Sequence, residues 1–161
     1  LIAPSLLLLT RLTFLDLGNN AFETKGLTSL AVALAQMSHL QELHLYNCFL
    51  NDKSAKVLSK CMPSWKLLEK LDLACNQFGS SAIKWMTDSF GHLQSLHTLS
   101  LIKNQLNAKA DKWLAKMLPL APCLAWVYLA NNDLSNADLV DLKSVWDADY
   151  DFDSYGVIQR K

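Results

Sequence analysis

The sequence predicts an α/β fold: a right-handed solenoid with a parallel sheet on its concave side and helices on its convex side. Three observations carry that prediction. Apolar residues at relative positions 0, 3, 5 and 10, with Asn or Cys at position 8, recur from Leu12, Leu40, Leu68, Leu96 and Leu124, a period of 28 residues. Self-similarity at such a period marks stacked supersecondary units. Inside each unit the apolar spacing switches from alternation, which suits a strand, to the 3.6-residue spacing of a helix. A strand, a helix and a return to a parallel strand cross over right-handedly, so stacking the units gives one sheet faced by helices.

Taken in order, the chain opens on Leu1-Ile-Ala-Pro-Ser-Leu-Leu-Leu-Leu, which lacks the positive start of a signal peptide and is too short to span a bilayer. Leu6 falls at relative position 22, where later units have Leu34, Met62, Phe90, Leu118 and Trp146. Residues 1–11 therefore read as the tail of a preceding repeat, and the chain as a fragment of something longer. Five full repeats follow, starting near 12, 40, 68, 96 and 124 and running to 146. Their strands place Leu15/Leu17, Leu43/Leu45, Leu71/Leu73, Leu99/Leu101 and Val127/Leu129 inward. Helical spacing puts Leu27, Leu30 and Leu34, or Ile83, Met86 and Phe90, on one buried face.

Asn20, Cys48, Asn76, Asn104 and Asn132 stand just after each strand, where the chain turns and leaves backbone groups unpaired. A buried polar group needs a partner, and an amide or thiol there is expected to satisfy the turn as a structural ladder. Residues 147–161 read as a degenerate capping repeat. Phe152, Tyr155, Val157 and Arg160 fall at relative positions 0, 3, 5 and 8, which predicts a sixth strand continuing the array.

Leu68-Glu-Lys-Leu71-Asp-Leu73-Ala-Cys-Asn76-Gln-Phe78, with its period and a full helix in each repeat, resembles the ribonuclease-inhibitor-like class of leucine-rich repeats. The resemblance covers nearly the whole chain, with Val127 in place of Leu as a mild departure in the fifth repeat. It implies a scaffold family that includes inhibitors, innate immune sensors, GTPase-activating proteins and bacterial effectors.

Composition narrows the partners. Fifteen basic and fifteen acidic residues cancel, so no global charge draws the chain to nucleic acid or an anionic membrane. Nucleic acid is disfavoured, and no stretch is long enough for a membrane span. The cysteines at 48, 61, 75 and 123 lack CxxC spacing and read as free thiols, which predicts an intracellular, cytoplasmic protein. For a bacterial effector this would mean delivery into a host cell.

Alternation leaves positions 2, 4 and 6 of each strand pointing out of the concave sheet. Position 2 gives Phe14, Glu42, Lys70, Thr98 and Trp126; position 4 gives Asp16, His44, Asp72, Ser100 and Tyr128; position 6 gives Gly18, Tyr46, Ala74, Ile102 and Ala130. The acid, histidine and hydroxyl of the middle row suggest catalysis, but strands ~4.8 Å apart keep Ser100 two spacings from His44. A nucleophile and its base need about 3 Å. A lone His with two carboxylates on a flat row also makes a poor metal site. The middle-row His44 is expected to be a solvated imidazole between acids.

The expected partner surface is Phe14, Asp16, Glu42, His44, Tyr46, Lys70, Asp72, Trp126 and Tyr128, with Phe49, Gln77, Gln105 and Asp133 along one rim. Tryptophan and tyrosine dominate interface energetics. On the helical side Lys56, Lys60, Lys84, Lys112 and Lys116 form a basic stripe beside Trp85 and Trp113, most simply a solvated face. The reading is a non-catalytic protein-binding scaffold with no cofactor, no metal and no small-molecule substrate. The alternatives are a GTPase regulator, or the sensor or targeting part of a longer immune receptor or effector. No arginine stands on the concave rows to act as a finger, since Arg11 precedes the first strand and Arg160 follows the last.

Overall fold

The computed structural model describes residues 3–135, 142, 150–152 and 156–160. A short α1 (Ala3–Leu6) precedes β1 (Phe14–Asp16), α2 (Glu23–Leu34), β2 (Glu42–His44), α3 (Asp52–Cys61), β3 (Lys70–Asp72), α4 (Ser80–Phe90), β4 (Thr98–Ser100), α5 (Asp111–Met117) and β5 (Trp126–Tyr128). Two further strands, β6 (Tyr150–Phe152) and β7 (Val157–Arg160), close the order. The first five strands pair in parallel and in sequence order, so Leu15, Leu43, Leu71, Leu99 and Val127 stand side by side. The chain is a leucine-rich repeat solenoid, and strands ~4.8 Å apart backed by helices ~8–10 Å apart oblige it to curve with the sheet inside.

The core lies between the sheet and the helices. Leu43, Leu45, Leu71 and Leu73 are wholly buried, as are Leu27 and Leu34 of α2 and Ile83 and Phe90 of α4. Leu142, at relative position 18 of the fifth repeat, is buried with them. Truncating one such leucine to alanine costs about 2–5 kcal/mol, because close-packed neighbours relax only partly into the hole. Leu6 joins the same core and α1 lies against α2, so the N-terminal segment packs on the first repeat. Repeat four departs from the rest: Asp111 stands where the other helices have Leu27, Ala55 and Ile83. Its helix begins with a 3-10 turn (Ala108–Ala110), and Ala110 fills the core there.

The C-terminal strand corrects the expectation drawn from the period. β7 pairs with β5 antiparallel, with Trp126 opposite Gln159, Val127 opposite Ile158 and Tyr128 opposite Val157. It is Ile158, rather than Val157, that is buried against the core. β6 then pairs antiparallel to β7 at the edge of the sheet. Tyr155 and Trp146 lie outside the described residues. The approach is close at Gly156, whose φ is +70° and whose carbonyl accepts from Leu129 N at 2.8 Å. A Cβ there would sit 2.9 Å from Ala130 N, so this crossing needs a glycine.

Candidate functional site

The outward rows are set by what ends each strand. Position 7 adopts the left-handed conformation in all five repeats: Asn19, Asn47, Cys75, Lys103 and Asn131 have φ between 52° and 59°. Position 8 then turns inward and ties successive repeats together. Asn76 Oδ1 accepts from Cys48 N and Leu50 N at 3.1 and 3.0 Å, while its Nδ2 donates to the carbonyls of Leu45, Leu73 and Ala74. Asn104 repeats this with Phe78 N, Leu73 O and Leu101 O, and Asn132 with Leu106 N, Leu101 O and Leu129 O.

Cys48 makes only half of these bonds. Its thiol donates to Leu17 O at 3.1 Å but offers no amide oxygen, and Phe22 N turns instead to Asn20 O at 2.7 Å. Asn20, on the first rung, donates to Leu17 O and Gly18 O within its own turn and is exposed.

The concave rows are in register across the sheet, with Phe14, Glu42, Lys70, Thr98 and Trp126 in one line and Asp16, His44, Asp72, Ser100 and Tyr128 in the next. His44 is the centre of the N-terminal half. Its Nε2 lies 3.2 Å from Glu42 Oε2, its Nδ1 lies 3.7 Å from Asp72 Oδ2, and its ring is 5.4 Å from that of Phe14. With its side chain only 13% exposed, His44 is held between its neighbours rather than solvated as the sequence led us to expect. Lys70 Nζ reaches Glu42 Oε2 at 4.0 Å and completes the cluster. Ser100 remains two strands from His44, with Asp72 between them.

These rows also carry packing work that alternation alone does not reveal. Asp16 Oδ1 accepts from Gly18 N at 2.8 Å and Asp72 Oδ1 from Ala74 N at 3.0 Å, so each carboxylate fastens the turn that follows its strand. Tyr46 lays its ring on Gly18, where any Cβ would collide with it, and its hydroxyl accepts from Asn19 Nδ2. Toward the C-terminal end the chemistry changes. Trp126 and Tyr128 stack at 6.4 Å and 12°, each half-buried, with no ion pair between described residues beside them. Phe49 is exposed on the rim, and Gln77, Gln105 and Asp133 each form a parallel bridge with the preceding repeat.

On the helical side the lysine stripe interlocks with tryptophans. Lys56 Nζ stands 4.7 Å from the centre of the Trp85 ring, and Lys84, Lys112 and Lys116 stand 5.4, 5.4 and 5.1 Å from that of Trp113. Lys56 and Lys84, at position 16, thus each cover the position-17 tryptophan of the next repeat, while Lys112 and Lys116 flank Trp113 within its own repeat. Lys60 is exposed at the far end of α3.

The four cysteines are unpaired; Cys75 and Cys123 are exposed, Cys48 and Cys61 buried. Burial pushes the thiol of Cys48 above its ordinary range and that of Cys61 up to about 11. Among the described residues no group of three His, Cys, Asp or Glu side chains is placed to hold a metal ion, and no helix is long and apolar enough to cross a membrane.

A second inter-repeat network escapes the leucine pattern. Asn51 caps α3, accepting from Lys53 N, while Ser54 returns the bond to Asn51 N and Thr24 of the preceding helix donates to the Asn51 amide. Asp52 Oδ1 accepts from Gly79 N at the start of α4, and Asn107 accepts from Ser80 Oγ at the start of α5's 3-10 turn. The sequence signal is a polar residue at position 11 or 12 (Thr24, Asn51 and Asp52, Ser80, Asn107), a cap signature that reaches its neighbour. Trp65, fully buried at position 25, was likewise missed; its Nε1 donates to Leu34 O at 2.8 Å.

Comparison with known proteins follows the same repeats. The leucine-rich repeat family model matches residues 9–31 and 66–84. Among solved structures the chain is similar to actin-binding site 2 of leiomodin-1, at 14% identity over 90% of this chain and 87% of that one, with a TM-score of 0.69. It is also similar to an internalin of Listeria monocytogenes, at 20% identity over 84% of this chain and 47% of that one, with a TM-score of 0.44. The leiomodin likeness is one of fold.

Proposed function

We propose that this leucine-rich repeat protein is a non-catalytic recognition scaffold that takes a protein partner on its concave face. The observation that carries the reading is the Trp126–Tyr128 stack, two large half-buried aromatics side by side on a sheet surface. Aromatics of this kind supply contact area with little conformational freedom to lose, which is why they recur as interface anchors. The Glu42–His44–Asp72–Lys70 cluster, across β4 on the same face, presents both charge signs in fixed positions and would set orientation and specificity. Phe14, Asp16 and Tyr46 extend that surface toward the N-terminal end.

The 28-residue period, with a helix of ten to twelve residues in each of the first three full repeats, supports the ribonuclease-inhibitor-like class. The free thiols support an intracellular, cytoplasmic setting, and we place residues 147–161 as a capping unit after five full repeats.

Capture of partners from a lysate, with the parent chain and a Trp126→Ala/Tyr128→Ala variant side by side, tests the reading. A partner held by the parent and lost by the variant is expected. A partner held equally by both would move the interface off this face. The GTPase-regulator alternative is separated by GTP hydrolysis: no acceleration of any captured GTPase is expected, for want of an arginine on the concave rows.

A further inference from the structure

The convex face holds a place where positive charge converges rather than merely lines a surface. Lys84 of α4 and Lys112 and Lys116 of α5 bring their ammonium groups within 5.1–5.4 Å of the centre of one indole, that of Trp113. Lys109 joins Lys84, Lys112 and Trp113 in lining a shallow pocket of about 230 Å³ between the two helices, with Ser80 and Ser81 at its other wall. No carboxylate lines it. Glu42, His44, Lys70 and Asp72 pair on the opposite, concave side, and Asp52, beside the start of α4, is engaged by Gly79 N.

A single ring cannot satisfy this arrangement. The attraction of an indole face for an exposed cation is modest, and three cations share one ring while repelling each other. In a chain with no net charge, such a cluster stores local repulsion that a compact anion would relieve. Convergence also selects among anions. A lone carboxylate brings one charge, and the diesters of a nucleic-acid backbone bring single charges strung along a line. A terminal phosphate brings nearly two charges and three acceptor oxygens to one centre, which several ammonium donors can approach together. The pocket is smaller than ordinary drug-sized sites, as a phosphate group requires. We infer that the α4–α5 groove around Trp113 binds a terminal phosphate group, carried either by a small soluble molecule or by a lipid headgroup.

The probes are inorganic pyrophosphate and phosphatidylcholine vesicles prepared with and without phosphatidylinositol bisphosphate, each added at low salt to the full chain. Binding is read from the Trp113 indole N–H resonance, and for vesicles also by co-sedimentation. We expect a saturable shift of Trp113 with pyrophosphate, weakened roughly a hundredfold in Lys84→Gln/Lys112→Gln, since a hydrogen bond to a charged group is worth about tenfold each. These side chains are exposed and Gln is as good a helix former as Lys, so the variant retains the fold. Lys66→Gln, an exposed lysine away from the groove, should leave the shift unchanged. Sedimentation only with phosphoinositide vesicles, lost in the double variant, would assign the phosphate to a lipid. Neither probe shifting Trp113, or equal binding by parent and double variant, overturns the inference.

Discussion

The middle of the array and its two ends are built on the same period but use it differently. On the β3 and β4 rungs, Asn76 and Asn104 are buried and bond in both directions, so backbone groups of two repeats are satisfied at once. On the first rungs the ladder thins: Asn20 is exposed and serves its own turn, and Cys48 offers a thiol where the later rungs have an amide. At the other end the parallel order gives way to an antiparallel strand, and large aromatics take the outward positions. The amide ladder is complete from Asn76 to Asn132, and it is on the first two rungs and on the outward positions of the last parallel strand that the chemistry changes.

The sharpest way to break that comparison is to remove the middle of the ladder. Asn76→Ala leaves the N–H groups of Cys48 and Leu50 and the carbonyl of Leu45 without their partners in a buried place. At about 1–3 kcal/mol for each stranded group, the loss should exceed about 3 kcal/mol. Asn20→Ala, at an exposed site bonded only to Leu17 and Gly18, should cost well under half as much in the same urea titrations. Equal losses would mean that the ladder gives no special support in the middle. Next in size is Trp126→Ala, at the C-terminal end. It should weaken partner binding by about 2 kcal/mol, roughly thirtyfold, while shifting the unfolding midpoint far less than Asn76→Ala does. A large stability loss with unchanged binding would turn Trp126 into a packing residue for the cap.

The buried thiols of the second repeat are tested through pH. Because burial raises Cys61 from 9.0 to about 11, the folded protein keeps this proton where the unfolded chain releases it. The stability linked to Cys61 is therefore complete below pH 9 and is lost as pH rises through about 11. The Cys61→Ala variant should lose less stability across that window than the parent, in chemical denaturation followed at each pH. Cys75, exposed at the turn of the third repeat, should be alkylated well before Cys61 at any pH in the window.

How much of this was legible depends on which residues one asks about. Leu15, Leu43, Leu71 and Leu99 announce the sheet because a buried strand position admits little else, and the same spacing fixes their register across five strands. The outward placement of Glu42, His44 and Trp126 followed from alternation, but their contacts did not. That His44 is enclosed by Phe14, Glu42 and Asp72 depends on the rotamers of four side chains from three strands, and period alone says nothing about rotamers. The reversal of the last strand was illegible for a related reason. Phe152 and Val157 fit the apolar pattern, but an apolar alternation reads the same in either chain direction, and direction is decided by how the preceding segment crosses the end of the core.

The smallest effect tests the turn that all the rungs share. Position 7 is left-handed throughout, and three of its five occupants are Asn, which tolerates that region better than most residues. Lys103 has no such tolerance, yet its φ is 52° beside Asn104, which turns inward to reach Leu73 O. Asn19 and Asn47 share that conformation beside weaker rungs, so whether the ladder or the strand ends hold Lys103 there is open to a direct test. Lys103→Gly should relieve the strain of that conformation and raise stability by about 0.5–1 kcal/mol net of the freedom glycine adds to the unfolded chain. Made in an Asn104→Ala background, the same change should gain less, because without the amide the turn is no longer compelled. A double-mutant cycle in urea measures that difference, and a gain of the same size in both backgrounds would show that the left-handed turn is set by the strand ends and not by the ladder.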